Sequence, residues 1–230
     1  MSRFPSDSPP RKVEATFGFI DLAGFTALTE EQGDADAAAL ATRFTRLARR
    51  CLGPGDRLVK SIGDAVLVTS PSAADGVSLV ERLLTEAAAD ARFPSLRAGL
   101  HHGAAVQRDG DVFGAAVNLA ARVAAEAHAG EVLGTEPIAR AARQVGIAVA
   151  DLGEVHLKNV KGAVPLFSLA LVLGITETPV DPVCHTAVDR RTAAGHLRHA
   201  GNEYWFCTLT CAAAFASNPG WHASGTKGTT

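Results

Sequence analysis

The sequence predicts an α+β sandwich with helices packed on one face of an antiparallel-rich sheet, followed by a small cysteine-containing α+β module. Three observations predict it. The elements run in the order strand, helices, hairpin, helix, strand, helix. The apolar pattern is a continuous run in the strand-like segments and a three-four spacing in the helix-like ones. Near Gly174 the composition breaks, and "GITETPVDP" reads as a linker.

The elements follow in turn. "ATFGFIDL", residues 15–22, reads as a buried first strand, and "AGFTALTEE" as a glycine turn entering a short helix. Ala37, Leu40, Ala41, Phe44, Leu47, Ala48 and Cys51 recur on one helical face, which makes Cys51 a packing residue. "GPGD" turns the chain into two strands, Arg57–Ile62 and Ala65–Thr69, joined tightly at Gly63-Asp64. Val77, Val80, Leu83, Leu84 and Ala87 mark another amphipathic helix. Leu96–Val106 reads as a strand, "RDGD" as a turn and Asn118–Ala127 as a helix, with further strands near Glu131–Leu133, Val149–Leu157 and Val164–Val172.

Composition narrows the functional classes. The 230 residues suit one large domain or two unequal ones. The hydrophobic share of 47% and charged share of 20% are ordinary for a soluble protein. A net charge of −2 argues against a nucleic-acid binder or a protein held to acidic lipid. "PLFSLALVLGI" falls short of the ~20 residues a membrane span needs, and "MSRFPSDSPPRK" lacks an apolar signal core. A cytoplasmic protein with reduced thiols is expected, Cys51 standing alone and Cys184, Cys207 and Cys211 grouped in the last quarter.

"LVKSIGDAVLV" places Lys60 and Asp64 inside an apolar hairpin. Taken singly, Asp64 reads as a turn former and Asp21 as the cap of the helix after its strand. Together they offer two carboxylates at the ends of neighbouring strands, a donor set suited to Mg²⁺ beside substrate phosphates. The backbone amides of Gly24, Phe25 and Thr26 open a helix toward the same spot, where phosphate oxygens fit. Asn118 and Arg122 are four residues apart and project from one side of a helix. Singly they read as surface residues. "GDVFGAAVNLAARV" leads a glycine turn onto that helix start, and an arginine there can neutralise charge building on a phosphoryl group.

"FIDLAGFTALTE", "LVKSIGDAVLV", "DVFGAAVNLAARV" and "LGEVHLKNVKGAVPLFSL" resemble, in order, the four signature segments of the class III nucleotidyl cyclase catalytic domain. The resemblance spans residues 14–172 and implies a ferredoxin-like, palm-type sandwich. It implies that Asp21 and Asp64 bind two Mg²⁺ or Mn²⁺ ions, that Lys60 and Asp111 select the base, and that Asn118 orients the ribose. Arg122 then stabilises the transition state. None of these six positions is substituted. It further implies a homodimer whose two sites each draw on both copies, making cyclic AMP and pyrophosphate from ATP. Lys60 only donates and an ionised Asp111 only accepts, which complements adenine and opposes guanine. A catalytically silent nucleotide-binding module and a guanylate cyclase are the alternatives. His101, in "AGLHHGAAV", matches a strand histidine common in that family and reads as structural, with His102 facing the other way.

"DPVCHTAVD", "GNEYWFCTLTCAAAF" and "NPGWH" resemble the YHS domain, a small module linked to heavy-metal binding, over residues 181–223. The linker is then 173–180, with disordered tails at 1–13 and 224–230. Cys184, Cys207 and Cys211 offer a soft ligand set for Zn²⁺ or Cu⁺, with His185, His196, His199 and His222 as candidates for a fourth ligand. His185-Thr186 departs from the usual Gly-Met after the first cysteine, and buried reduced thiols without metal remain the alternative. Cys207-x-x-x-Cys211 falls at a strand-to-helix junction, and Tyr204, Trp205 and Phe206 read as core. Metal or redox state at these thiols is expected to tune the dimer.

Overall fold

The computed structural model describes residues 9–171, 179–184, 186, 188, 193–200 and 202–223. Its elements are β1 (Arg11–Leu22), α1 (Phe25–Gln32), α2 (Asp34–Arg50), β2 (Arg57–Ile62), β3 (Ala65–Ser70), α3 (Ala73–Ala88), β4 (Leu96–Arg108) and β5 (Asp111–Phe113). There follow α4 (Ala115–Glu126), β6 (Val132–Gly134), α5 (Glu136–Gln144), β7 (Val149–His156) and β8 (Ala163–Leu169). The C-terminal module contributes β9 (Gly195–His199), β10 (Asn202–Phe206), α6 (Leu209–Ser217) and α7 (Pro219–Ala223).

The main sheet runs β2-β3-β1-β4-β6-β8-β7, with β5 paired to the far end of β4. Only the β4–β6 pair is parallel, so the sheet is antiparallel-rich as expected. Strand alternation sends Ile20, Leu22, Val66, Val68, Ala98 and Leu100 to one face. There they meet Phe44 and Leu47 of α2, Val80 and Leu83 of α3, and Ile138 of α5. Phe17 and Leu67 point the other way, onto Ala116, Val117 and Ala120 of α4. Helices therefore cover both faces, and the one-face arrangement expected from the sequence is corrected. The buried stripe of α4 is mostly alanine, which carries little hydrophobic signal but allows close approach.

Gly99 makes that approach possible. A β-carbon at this position would lie 2.0 Å from the Ala124 backbone nitrogen, so α4 rests directly on β4. Gly99→Ala is expected to destabilise the fold by ~3 kcal/mol or more, since rigid backbone cannot yield as a side chain would. Thermal melting checks this, an unchanged melting temperature being the contrary result.

Several boundaries differ from expectation. β1 begins at Arg11, so residues 11–13 pair with Ala105–Gln107 in the sheet and are not part of a disordered tail. α4 begins at Ala115, three residues before Asn118, and β8 ends at Leu169. Helix α5 was not foreseen. Residues 1–8, 172–178 and 224–230, which hold most of the expected tails and linker, lie outside the described residues. Among the described residues no helix is long and apolar enough to cross a membrane.

The histidine pair splits across the sheet as the strand period demands. His101 Nδ1 lies 2.7 Å from Thr135 Oγ1, and His102 Nδ1 lies 2.9 Å from Thr16 Oγ1. Burial, and secondarily the charge of His102, push the His101 pKa down. The folded state then disfavours the imidazolium, so the unfolded chain binds more protons below its ordinary value of about 6.5. Stability is full above that value and is lost as pH falls through the lower folded value. Melting temperature is expected to fall more steeply between about pH 7 and pH 5 in the wild type than in His101→Gln, which cannot titrate.

In the C-terminal module the β9–β10 hairpin packs on α6 through Tyr204, Phe206 and Phe215. Tyr204 and Phe206 are core, as expected, while the half-buried Trp205 stacks on His196 at 4.1 Å.

Candidate active site

Asp21 lies near the end of β1, opposite Ala65 of β3 on one side and Arg97 of β4 on the other. Asp64 occupies the two-residue turn that joins β2 to β3, directly before Ala65. The two carboxylates are neighbours. Burial raises the Asp64 pKa most and the Asp21 charge raises it further, against a backbone hydrogen bond and Arg97, which lower it. Arg97 was not anticipated from the sequence. Its Nε donates to Asp21 Oδ1 at 2.6 Å, placing a guanidinium where two acidic groups converge. A lone arginine in a strand has no spacing signature, and only the register across β1 and β4 exposes its position.

Gly24 follows with φ 75°, the left-handed conformation that turns β1 into α1. No side chain caps α1, so the first-turn amides at Phe25 and Thr26 have no side-chain acceptor there.

Lys60 and Asp111 form a second centre. The β4–β5 arm curls back over the sheet, and Val112 buries itself among Phe17, Leu67, Ala116 and Val117. That curl carries Asp111 onto β2, where Lys60 Nζ donates to Asp111 Oδ2 at 2.6 Å. Asp111 also accepts from the Val112 amide at 2.8 Å. The lysine contact is the main reason its pKa is held below the ordinary carboxylate value.

Asn118 and Arg122 share the outer face of α4, opposite the buried Ala116, Val117, Ala120, Val123 and Ala124. Asn118 is exposed and Arg122 half-buried. Within one chain the six residues thus divide into the Asp21–Asp64 pair, the Lys60–Asp111 pair and the α4 pair, and no hydrogen bond among the described residues links one pair to another. Ile62 and Phe113, beside the first two pairs, are about half exposed at 50% and 53%.

The thiols also converge. Cys184 Sγ lies 3.2 Å from Cys207 Sγ, which lies 3.9 Å from Cys211 Sγ. Cys207 and Cys211 stand at the junction of β10 and α6, as expected, and Thr208 caps that helix by accepting from the Cys211 amide. The fourth member is Asp181, fully buried, and the expected histidines are not in the cluster among the described residues. His196 is engaged with Trp205, and His185 lies outside the described residues. Asp181 accepts from the amides of Val183 at 2.9 Å and Cys207 at 2.8 Å, tying the Cys184 turn to the β10–α6 junction. Burial pushes the Cys211 thiol up to about 11 and Cys207 higher still.

The family model of the adenylate and guanylate cyclase catalytic domain matches residues 8–170. The chain belongs to this family. Over 162 residues the cyclase chain is 36% identical to a pH-sensitive adenylate cyclase of Mycobacterium tuberculosis, covering 69% of this chain and 41% of that protein. Over 107 residues it is 39% identical to an adenylate cyclase of Streptomyces coelicolor, covering 46% of this chain and 28% of that protein. The chain thus spans less than half the length of these relatives. Its fold is similar to that of the adenylyl cyclase CyaB from P. aeruginosa, with TM-score 0.60 and 22% identity over 74% of this chain and all of that one. Adenylate cyclases of Trypanosoma brucei, solved in their monomeric state, match with TM-score 0.59 and 22% identity over 81% of this chain and 97% of theirs.

Proposed function

We propose that this cyclase converts ATP to 3′,5′-cyclic AMP and pyrophosphate at sites shared between two copies of the chain. The Lys60–Asp111 ion pair carries the reading for ATP. It presents a donor and an acceptor side by side, the complement of adenine N1 and its 6-amino group. Guanine would meet donor with donor and acceptor with acceptor, a mismatch that can discriminate by ~10⁴.

Asp21 and Asp64 fit hard divalent ions. Both are carboxylates, and the cation already drawn between them, Arg97, marks the spot as one that favours positive charge. Bound Mg²⁺ or Mn²⁺ would supply charge neutralisation to the phosphates and acidify the 3′-hydroxyl. Arg97, which pairs with Asp21 at 2.6 Å beside the two carboxylates, would hold the polyphosphate. The amides of Gly24, Phe25 and Thr26 receive phosphate oxygens, Asn118 orients the ribose, and Arg122 balances charge on the α-phosphoryl group. The 3′-oxygen forms its bond to the α-phosphorus as the bond to the β-phosphate oxygen breaks. Pyrophosphate leaves, and the hydroxyl proton passes to solvent.

Separation of the three pairs within one chain supports a homodimer, and so does the apolar surface at Ile62 and Phe113. The thiols suit Zn²⁺ or Cu⁺, since a tetrahedral Zn–S distance of about 2.3 Å sets sulfurs about 3.8 Å apart.

The test incubates the purified full chain with ATP and Mg²⁺ or Mn²⁺. Cyclic AMP and pyrophosphate are expected in equal amounts, with kcat falling ~10²–10³-fold in Arg122→Ala. ATP binding without turnover would support the silent module, and faster turnover of GTP would support a guanylate cyclase.

A further inference from the structure

The turn that carries Cys184 presses on the catalytic cleft. A β-carbon at Gly24 would lie 2.5 Å from the Cys184 carbonyl oxygen and 3.2 Å from Thr186 Oγ1. A cleft of about 340 Å³ is bounded by Gly24 and Arg97 on one side and Cys184 on another. Gly24 opens α1, whose first-turn amides are the proposed seat of the phosphates. Two electronegative oxygens of the C-terminal module therefore stand against the site that polyphosphate oxygens would occupy.

The same turn is fixed to the thiol site. Cys184 Sγ is 3.4 Å from Thr186 Oγ1, the Asp181 amide donates to the Thr186 carbonyl at 2.9 Å, and the Asp181 carboxylate grips the Cys207 amide at 2.8 Å. In this docked position the three sulfurs are already gathered at 3.2 and 3.9 Å, near the spacing that one soft ion requires. All three thiols line a larger cleft, about 1400 Å³, whose lining also includes Ala27, Leu28 and Glu31 of α1, so an ion can reach them.

We propose that Cys184, Cys207 and Cys211 form an inhibitory effector site, at which a soft metal ion locks Cys184 and Thr186 against Gly24 in competition with the triphosphate of the substrate. This rests on the proposed nucleotide site and adds its regulation. An ion that joins Cys184 to Cys207 and Cys211 stabilises the docked turn. Substrate phosphates at Gly24 require that turn to withdraw. The two ligands are then negatively coupled, and the coupling is reciprocal.

The test uses the full chain, freed of metal by chelation, with Cd²⁺ as probe because its thiolate complexes absorb in the ultraviolet. Saturating Cd²⁺ is expected to raise KM for ATP roughly tenfold with kcat unchanged. A non-cyclising ATP analogue is expected to weaken Cd²⁺ binding by the same factor, a reading that needs no turnover. Cys207→Ser should lose the absorption band and the KM effect together. Thr186→Arg, which crowds Gly24 and keeps all three cysteines, should keep the band and lose the effect. Both variants are checked by melting. Absence of the Cd²⁺ band in the wild type, Cd²⁺ and analogue binding independently, activation by Cd²⁺, or an undiminished KM effect in Thr186→Arg would overturn the proposal. Failure to bind the analogue at all would instead overturn the nucleotide site on which it rests.

Discussion

Mixing Asp21→Ala protein with Lys60→Ala protein is expected to restore cyclic AMP synthesis to about one quarter of the wild-type rate, although each variant alone is nearly inactive. Asp21 sits with Asp64 and Arg97 at one end of β1, whereas Lys60 is bound to Asp111 on the curled arm. If each site takes acidic groups from one copy and the base reader from the other, the heterodimer holds one intact site and one doubly damaged site. Random pairing makes half the dimers mixed. Asp21→Ala mixed with Asp64→Ala should restore nothing, since both changes strike the same half-site in every pairing. The measurement is cyclic AMP formation in the two mixtures. Equal recovery in both would refute a shared site, and full activity of a monomer isolated by gel filtration would do so independently.

The second large effect concerns the choice of base. Lys60→Glu with Asp111→Lys keeps an ion pair at the position of the 2.6 Å contact and reverses its polarity. Glutamate can then accept from guanine N1–H, and lysine can donate to its 6-oxo group. Cyclisation of ATP is expected to fall ~10³-fold or more, with GTP becoming the preferred of the two substrates. The check is kcat/KM for both nucleotides. A double variant that still prefers ATP would remove these side chains from base selection, and either single change, which leaves two like charges adjacent, should depress both activities.

The parts of the fold that were legible in the sequence are those written in large apolar residues. Leu40, Phe44 and Leu47 define α2, and Val66 and Val68 define β3, because bulky side chains at fixed spacing leave few alternatives. Helix α5 escaped because Ile138 is the sole large apolar residue in a buried face otherwise formed by Ala139, Ala141 and Ala142. The placement of α4 on the far face escaped for the same reason, its contact being alanine against Gly99. At the site, Asp21, Asp64, Asn118 and Arg122 could be singled out by their local settings. Lys60 and Asp111 could not be joined by spacing, since 51 residues and a bent arm separate them, and the family resemblance suggested the pair. Arg97 and Asp181 were missed. Each acts through a partner distant in sequence, Asp21 in one case and the Cys207 amide in the other, and only the folded register brings them together.

The absence of clearance beneath α4 has a mechanical consequence. With the Ala124 backbone seated on Gly99, the helix cannot tilt or slide without lifting off the strand. Asn118 and Arg122 are therefore rigidly carried by their own sheet, like teeth cut into a gear. In the proposed homodimer, any signal that adjusts their aim at a substrate bound by the other copy would have to arrive as a rotation of one whole body against the other.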